Sequence, residues 1–365
     1  MTVALLEEEE ETVTEYTHPN RRACLAMLAA APLIAGCAGQ SAPTRQPRSG
    51  TGAAQVALLL PLSGTRAALG QQMAKAVWLV EDLGGTPGRT QILDSGETPE
   101  TAARAARDAV AQGAGIVVGP LFRDQTPAVL GAVGTTPVMS LSNDAKLAAS
   151  GAWVFGVTPA QSVETVLTYA KRSGARRITV LETAGALGQR ASGALSKRSR
   201  VSRPAALPFV PAATQPNDVA DALRQVGGGT LPDIIYIPGT TPLALQQAEA
   251  AVKTGVTTIG SLQWSGLAQP QLDRLDKACF TGPDPVRFNR LSAHFRTQLE
   301  EDVGVIAALA VDAVGLAHMT GATGTLSGRT PFEGLLGDTR FDRDRTCERT
   351  LAILRIDRGA VVPVI

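Results

Sequence analysis

From Gln55 onward, continuous apolar runs alternate with stretches that are apolar only at helical spacing. "QVALLLPLSG" (Gln55 to Gly64) is an unbroken apolar run stopped by proline and glycine, the pattern of a strand buried on both faces of a parallel sheet. "ALGQQMAKAVWLVEDLGG" follows, with Leu69, Met73, Val77 and Val80 on one helical face and Gly84-Gly85 closing it. "TQILD" is the next strand. In "TPETAARAARDAVAQG", Thr98 is placed to cap a helix, Pro99 to open it and Gly113 to lie past its end. "GIVVGP", "DQTPAVLGAV" and "TPVMSLSN" read as strand, helix and a strand running into a loop. After Trp153 the alternation resumes. "WVFGVTP", "RRITVLE", "AALPFV", "DIIYIPG" and "TTIGSLQ" are separated by the helices of "SVETVLTYAKRSG", "ALGQRASGALSK", "DVADALRQV" and "PLALQQAEAAVKTG". Two more helices, "FNRLSAHFRTQLE" and "VIAALAVDAVGLAHM", precede a turn-rich antiparallel ending from Phe332. This order predicts two α/β lobes with mostly parallel sheets.

The N-terminal segment has a different pattern. Glu7 to Glu11 is a like-charge block, which favours disorder. Arg21 and Arg22 then precede "ACLAMLAAAPLIAG", an apolar run too short for the roughly 20 residues of a bilayer span. It has the length and small-residue ending of a signal-peptide core. The acidic leader ahead of it departs from a short basic n-region and points to a translation start later than Met1. Ile34-Ala35-Gly36-Cys37 resembles a bacterial lipobox, which implies cleavage before Cys37 and acylation of its thiol and new amino group. Several acyl chains give stable anchoring where one is marginal. Ala38 after the cysteine, in place of an aspartate, leans toward the outer membrane by the same resemblance. "GQSAPTRQPRSGTG" (Gly39 to Gly52) has the composition of a flexible tether. The expected organisation is thus 1–36 leader and signal, 37–53 tether, and a folded remainder facing the periplasm.

Composition narrows the function. The 365 residues are 44% hydrophobic and 18% charged, a globular balance, and long enough for two lobes. A net charge of +1 argues against nucleic acid as the partner. The densest basic stretch, "SKRSRVSR" (Ser196 to Arg203), has no aromatic neighbours and reads as a solvated helix end. His18, His294 and His318 are scattered and no Cys-x-x-Cys occurs, so no metal site is expected. Nor does any motif call for a cofactor. Cys279 and Cys347 stay in the mature chain in an oxidising compartment, where a disulfide between them is open, although sequence does not set their separation. No nucleophile–base constellation or G-x-S-x-G elbow is present. "GATGTLSGRT" (Gly321 to Thr330) lacks the lysine of a phosphate-binding loop and follows a helix. Glu81-Asp82 and Glu300-Glu301-Asp302 sit at helix ends and read as solvated. The chain is expected not to be an enzyme.

"VALLLPLSG", "GIVVGPLF", "PVMSLSND", "WVFGVTP", "LAVDAVGLA" and "FEGLLGDTRFDRD…ERTLAILRI" occur in the order found in type-1 periplasmic binding proteins. Within that superfamily the chain most resembles the penicillin-binding protein activator lipoproteins, from about Val56 to the end. The resemblance implies a two-lobed α/β fold of mostly parallel sheets flanked by helices. Lobe 1 would be 54–157 plus 281–330 and lobe 2 would be 158–280 plus 331–365, with the cleft between them at the carboxyl ends of the strands. The cleft candidates are Ser63, Gly64 and Thr65 after the first strand, Leu121, Phe122 and Gln125 after the third, and Ser142, Asn143 and Asp144 after the fourth. Hydroxyls, amides and helix N-termini can hold a carboxylate or phosphate. The same residue types are also ordinary turn and cap residues, the more natural role for Ser63 and Gln125. Trp153 and Trp264, near predicted strand ends, face either cleft or core.

Two departures bear on function. Amino-acid-binding members carry an aromatic in the first loop of the second lobe, where "LETAGALGQR" has Ala186-Leu187. The activators carry an N-terminal helical-repeat domain, for which the stretch from Cys37 to Val56 leaves no room. Two readings follow. One is a non-catalytic lipoprotein that contacts a penicillin-binding protein and regulates peptidoglycan synthesis. The other is a substrate-binding lipoprotein that delivers an amino acid or other small polar solute to an ABC permease.

Overall fold

The computed structural model describes residues 55–182, 186–199, 204–321, 326 and 331–364. The leader, Cys37 and the tether lie outside them, as do most of Gly321 to Thr330 and the basic stretch's end, Arg200 to Arg203.

The first sheet is built from β1 (Gln55–Leu60), β2 (Thr90–Asp94), β3 (Ala114–Val118), β4 (Val138–Ser140) and β5 (Trp153–Val154), in the order β2-β1-β3-β4-β5 and parallel throughout. Five consecutive residues of β1 are buried, because helices cover both faces of the sheet. These helices include α1 (Ala67–Leu83), α2 (Pro99–Ala111) and α3 (Thr126–Ala132). In α2, Thr98 caps the Thr101 amide, Pro99 occupies the first turn, and Ala102, Ala105, Ala106 and Ala109 form the buried stripe. Methyl-sized side chains bring this helix close to the strands.

The chain then enters the second lobe through α4 (Pro159–Ser173). Its sheet contains β6 (Arg177–Val180), β7 (Ala205–Ala206), β8 (Ile234–Ile237), β9 (Thr257–Gly260) and β10 (Cys279–Gly282), with α5 (Ala186–Ser199), α6 (Val219–Val226), α7 (Pro242–Lys253) and α8 (Gln269–Arg274) in the crossovers. Two antiparallel strands, β14 (Ala352–Asp357) and β15 (Ala360–Pro363), extend it to the order β15-β14-β10-β9-β8-β6-β7. Strand β10 had no counterpart in the sequence pattern. Its four residues, "CFTG", are too short a signal, yet all are buried and it joins the parallel and antiparallel halves of the sheet.

Between β10 and β14 the chain returns to the first lobe. There α9 (Pro285–Leu299) contributes Leu291 and Phe295 to the core, and α10 (Val305–Gly321) contributes Ala307, Ala308, Ala310 and Ala313. Apart from Asp312 and its C-terminal turn, helix α10 is apolar on all sides, which suits its position between the sheet and α1. A small antiparallel sheet follows: β11 (Phe332–Gly334), β12 (Gly337–Phe341) and β13 (Cys347–Arg349). The sequence reading placed 331–365 in the second lobe, and in the structure this segment divides. Leu336, Phe341 and Cys347 pack in the first-lobe core, whereas Leu354 and Ile356 pack in the second. Asp312 explains the first attachment, since its carboxylate accepts the amides of Leu335 (2.6 Å) and Leu336 (2.9 Å) and ties the β11–β12 turn to α10.

The disulfide that the sequence left open is not formed in the structure. Cys279 and Cys347 are both free and buried, Cys279 in the second-lobe core and Cys347 in the first.

Candidate functional site

The segments that follow the strands meet between the lobes around a cavity of about 320 Å³. The first lobe supplies Leu121 and Phe122 after β3, and Leu141, Ser142 and Asn143 after β4. The second lobe supplies Tyr236 on β8 and Ser261, Leu262 and Gln263 after β9. Val157, Thr158 and Ser162 line it where the lobes join, and Val305, Ile306 and Leu309 line it from the start of α10.

Four of the nine cleft candidates therefore come together here: Leu121, Phe122, Ser142 and Asn143. Ser142 is buried, and its hydroxyl accepts the Asp144 amide at 3.2 Å. Asn143 is exposed at the mouth. The backbone of this loop passes so close to Gly156 that a Cβ there would lie 2.2 Å from the Ser142 carbonyl oxygen.

The other five do not line the cavity. Ser63, Gly64 and Thr65 form an exposed turn in which the Ser63 and Thr65 amides are already satisfied. Asp94 Oδ1 accepts Leu62 N at 2.9 Å and Ser63 N at 3.3 Å, and Glu97 Oε1 accepts Thr65 N at 2.6 Å. Partial burial would raise the Asp94 pKa, but the hydrogen bonds from Ser63, Gly96 and Leu62 outweigh it and hold the carboxyl below its ordinary value. The Thr65 hydroxyl and amide do the same for Glu97. The chain's own carboxylates thus occupy the anion position that this turn offers. Gln125 is fully buried, and its Nε2 donates to the Gly96 carbonyl at 3.0 Å, fastening the loop after β2. Asp144 is buried beside the cleft and caps Lys146 N at 3.1 Å. Its other oxygen faces two guanidinium groups, Arg123 of the same lobe at 3.5 Å and Arg190 of α5 at 3.4 Å.

Neither tryptophan faces the cavity. Trp264 is fully buried in the second-lobe core, with Nε1 donating to the Gly239 carbonyl at 3.1 Å. Trp153 packs edge-on against Phe341 at 5.2 Å, with Arg345 over its ring. The second-lobe loop that has Ala186-Leu187 in place of an aromatic lies partly outside the described residues.

The chemistry of the lining is specific. Arg123 is its one charged side chain among the described residues, and no carboxylate lines it. An α-ammonium group buried here would lack a counter-ion, at a cost of several kcal/mol. The other polar groups are hydroxyls and two side-chain amides, Asn143 of the first lobe and Gln263 of the second. The Tyr236 hydroxyl is buried with no hydrogen-bond partner in normal geometry. Burial pushes this phenol well above its ordinary pKa, offset in part by the neighbouring Ser162 hydroxyl, so it is a neutral donor at any physiological pH. Reading the ends of β8 and β9 by the same rule applied to β3 and β4 would have found Ser261 and Gln263. Val305, Ile306 and Leu309 gave no such signal, because apolar residues at a helix start read as core.

Two α/β lobes with a cleft at the carboxyl ends of their strands define a bilobed binding protein. The chain belongs to the periplasmic binding protein family, whose model matches residues 53–360, and its fold is that of the type-1 members. A candidate branched-chain amino acid ABC transporter protein of Rhodospirillum rubrum superimposes with a TM-score of 0.74 at 19% identity, covering 85% of this chain and 100% of that one. The C-domain of LpoA from Haemophilus influenzae, a regulator of PBP1A, superimposes with a TM-score of 0.64 at 17% identity, covering 86% of this chain and 100% of that domain. Against full-length LpoA the TM-score is 0.67 at 18% identity, and the match spans 59% of the longer protein. No curated protein sequence matches the chain. At this level of identity the likenesses establish the fold, and function has to be argued from the site.

Proposed function

We propose that the protein is a non-catalytic lipoprotein, anchored through Cys37 and facing the periplasm from the outer membrane, that regulates a peptidoglycan synthase of the penicillin-binding protein class by direct contact. The cleft carries this reading. Among the described residues its lining has no carboxylate for an amino acid's ammonium group, its first-strand turn is filled by Asp94 and Glu97, and Arg190 is drawn across to Asp144. A cleft of this kind suits a scaffold better than amino-acid uptake. Docking would raise synthase activity only if the protein binds the active conformation of the synthase more tightly than the inactive one. The test is co-purification with the cell's bifunctional synthases, followed by glycan polymerisation with and without the protein. Rate enhancement supports the reading. Absence of both complex and enhancement refutes it.

One observation favours a second reading. The cleft has room for a small molecule, and the Tyr236 hydroxyl is buried at its wall with the Ser162 hydroxyl as its neighbour but, among the described residues, no hydrogen bond in normal geometry. As the binding protein of an ABC permease, the chain would take a solute with an apolar body and a hydrogen-bonding head without an ammonium group. Calorimetry against branched-chain amino acids and their 2-oxo-acid analogues distinguishes the two chemistries. Micromolar affinity for a 2-oxo acid, together with failure to bind any synthase, would reverse the order of the readings, and the same affinity for an amino acid would also overturn the argument from the missing carboxylate.

A further inference from the structure

A second cavity, of about 500 Å³, lies away from the cleft between α1, α10 and β11. Its walls are apolar: Val77 and Val80 from α1, Val311 and Val314 from α10, and Phe332 and Leu335 from the small sheet. Met319, 45% exposed, stands at its edge. Into this apolar surround the fold places Glu81, which by sequence reads as a solvated helix end. Glu81 instead follows Val77 by one helical turn and points toward α10, so its side chain is only 8% exposed, while Asp82 beside it is exposed. Among the described residues, neither carboxylate oxygen of Glu81 has a hydrogen bond in normal geometry. Its nearest basic neighbour is His318, whose Nε2 is 3.8 Å from Oε1 and 2.9 Å from the Thr90 hydroxyl. Burial and the nearby Arg89 hold His318 below its ordinary pKa, against the opposing pull of Glu81, so the imidazole is a weak counter-charge for the carboxylate near neutral pH. Buried carboxylates without partners are rare because they are costly.

The remaining charged groups around the cavity give the sign of what is missing. Asp312 and Glu333 also line it, against the single exposed guanidinium of Arg89. Asp312 is already engaged by the Leu335 and Leu336 amides, which leaves Glu81 as the acceptor. We propose that this cavity is a second binding site, for an organic cation with an apolar stem. Its ammonium or guanidinium group pairs with Glu81, and the stem packs on Val77, Val80, Val311 and Val314. The proposal stands independently of the regulatory reading above. The chemistry is that of a lysine or arginine side chain on a partner, or of a free alkylamine.

The experiment titrates n-butylguanidinium and n-butylammonium into the purified protein and follows the methyl resonances of Met319 and the four valines. The expected result is saturable shifts confined to these methyls. n-Butanol, which has the same stem without the charge, binds about tenfold or more weakly, and Glu81→Gln weakens cation binding by a similar factor. Because the one contact Glu81 would lose is the long 3.8 Å approach of His318, Glu81→Gln keeps or raises the melting temperature, so loss of binding is not loss of fold. A capped Gly-Arg-Gly peptide that binds more tightly than n-butylguanidinium assigns the site to a protein side chain. The reverse order assigns it to a small molecule. Equal binding of n-butanol, unchanged affinity in Glu81→Gln, or no saturable shift with either cation overturns the proposal.

Discussion

Arg190 in the second lobe reaches Asp144 in the first, Nη2 to Oδ2 at 3.4 Å. Asp144 is held ready for it, since its other oxygen caps Lys146 N and its side chain is almost fully buried. The sequence singled out Asp144 as a residue to touch a ligand. The structure uses it to join the lobes. Arg190 is partly exposed, so solvent screens the pair, and about 1 kcal/mol is the appropriate scale. Replacing Arg190 with Gln should therefore shift the balance between closed and open lobes about fivefold toward open. Spin labels on α3 and α7 would read this as a longer inter-lobe distance. An unchanged distance distribution would remove the pair from any account of closure.

Asp312 gives the stability a pH dependence of unusual sign. Burial raises its pKa to about 6, against the pull of the Arg349 charge and the Leu336 and Leu335 amides. A carboxyl whose folded pKa lies above its unfolded value binds its proton more tightly when folded. Its stabilising contribution is present at low pH and is lost as pH rises through 6. Between pH 7 and pH 5 this group alone should add about 1 kcal/mol. Urea unfolding of the protein and of Asp312→Asn at both pH values isolates the effect. The difference between the two should shrink in the variant, and a wild type that gains nothing relative to Asp312→Asn on acidification would contradict the assignment.

The two thiols should be chemically silent. Burial pushes Cys279 and Cys347 up to about 11, so at pH 8 only about one molecule in a thousand carries either thiolate. Iodoacetamide should label neither residue in the native protein and both in denaturant, as read by peptide mass spectrometry. Dithiothreitol should leave the melting temperature unchanged. A lower melting temperature on reduction would mean that the solution protein holds the bond the structure lacks.

Much of this was legible in the sequence, and the misses have physical causes. The apolar runs at Gln55–Leu60, Ala114–Val118 and Ile234–Ile237 became strands, and Thr98, Pro99 and Gly113 bounded α2 as their chemistry requires. The order of elements gave the lobes. Strand β10 was hidden because its burial comes from neighbours distant in sequence, β9 on one side and β14 on the other. Within the site, loop position found Leu121, Phe122, Ser142 and Asn143. It failed for Ser63, Gly64 and Thr65 because their partners, Asp94 and Glu97, lie some thirty residues away on the next loop. Glu81 was misread because an acidic residue at a helix end is normally solvated, and only the arrival of α10 and β11 closes over it.

Gly156 shows how a residue with no chemistry of its own shapes the cleft. It lies just beyond β5, where the chain leaves the first lobe, and the loop carrying Ser142 passes directly over it. A methyl group at this position would sit 2.2 Å from the Ser142 oxygen and 2.4 Å from its carbonyl carbon. Both are backbone atoms, so no side-chain rotation relieves the overlap and the loop must move. Gly156→Ala should cost about 2 kcal/mol or more. It should also displace Ser142 and Asn143 from the cavity wall, and so weaken any ligand held there. Gly131 serves as the control, because it lies in α3 with nothing within 4 Å of an added Cβ. Gly131→Ala should stabilise by about 0.5 kcal/mol or more, since alanine gives up less backbone freedom than glycine in a helix. Urea midpoints of the two variants should therefore move in opposite directions from the wild type. Equal midpoints would show that the loop over Gly156 yields freely, and that the cleft wall is softer than its packing implies.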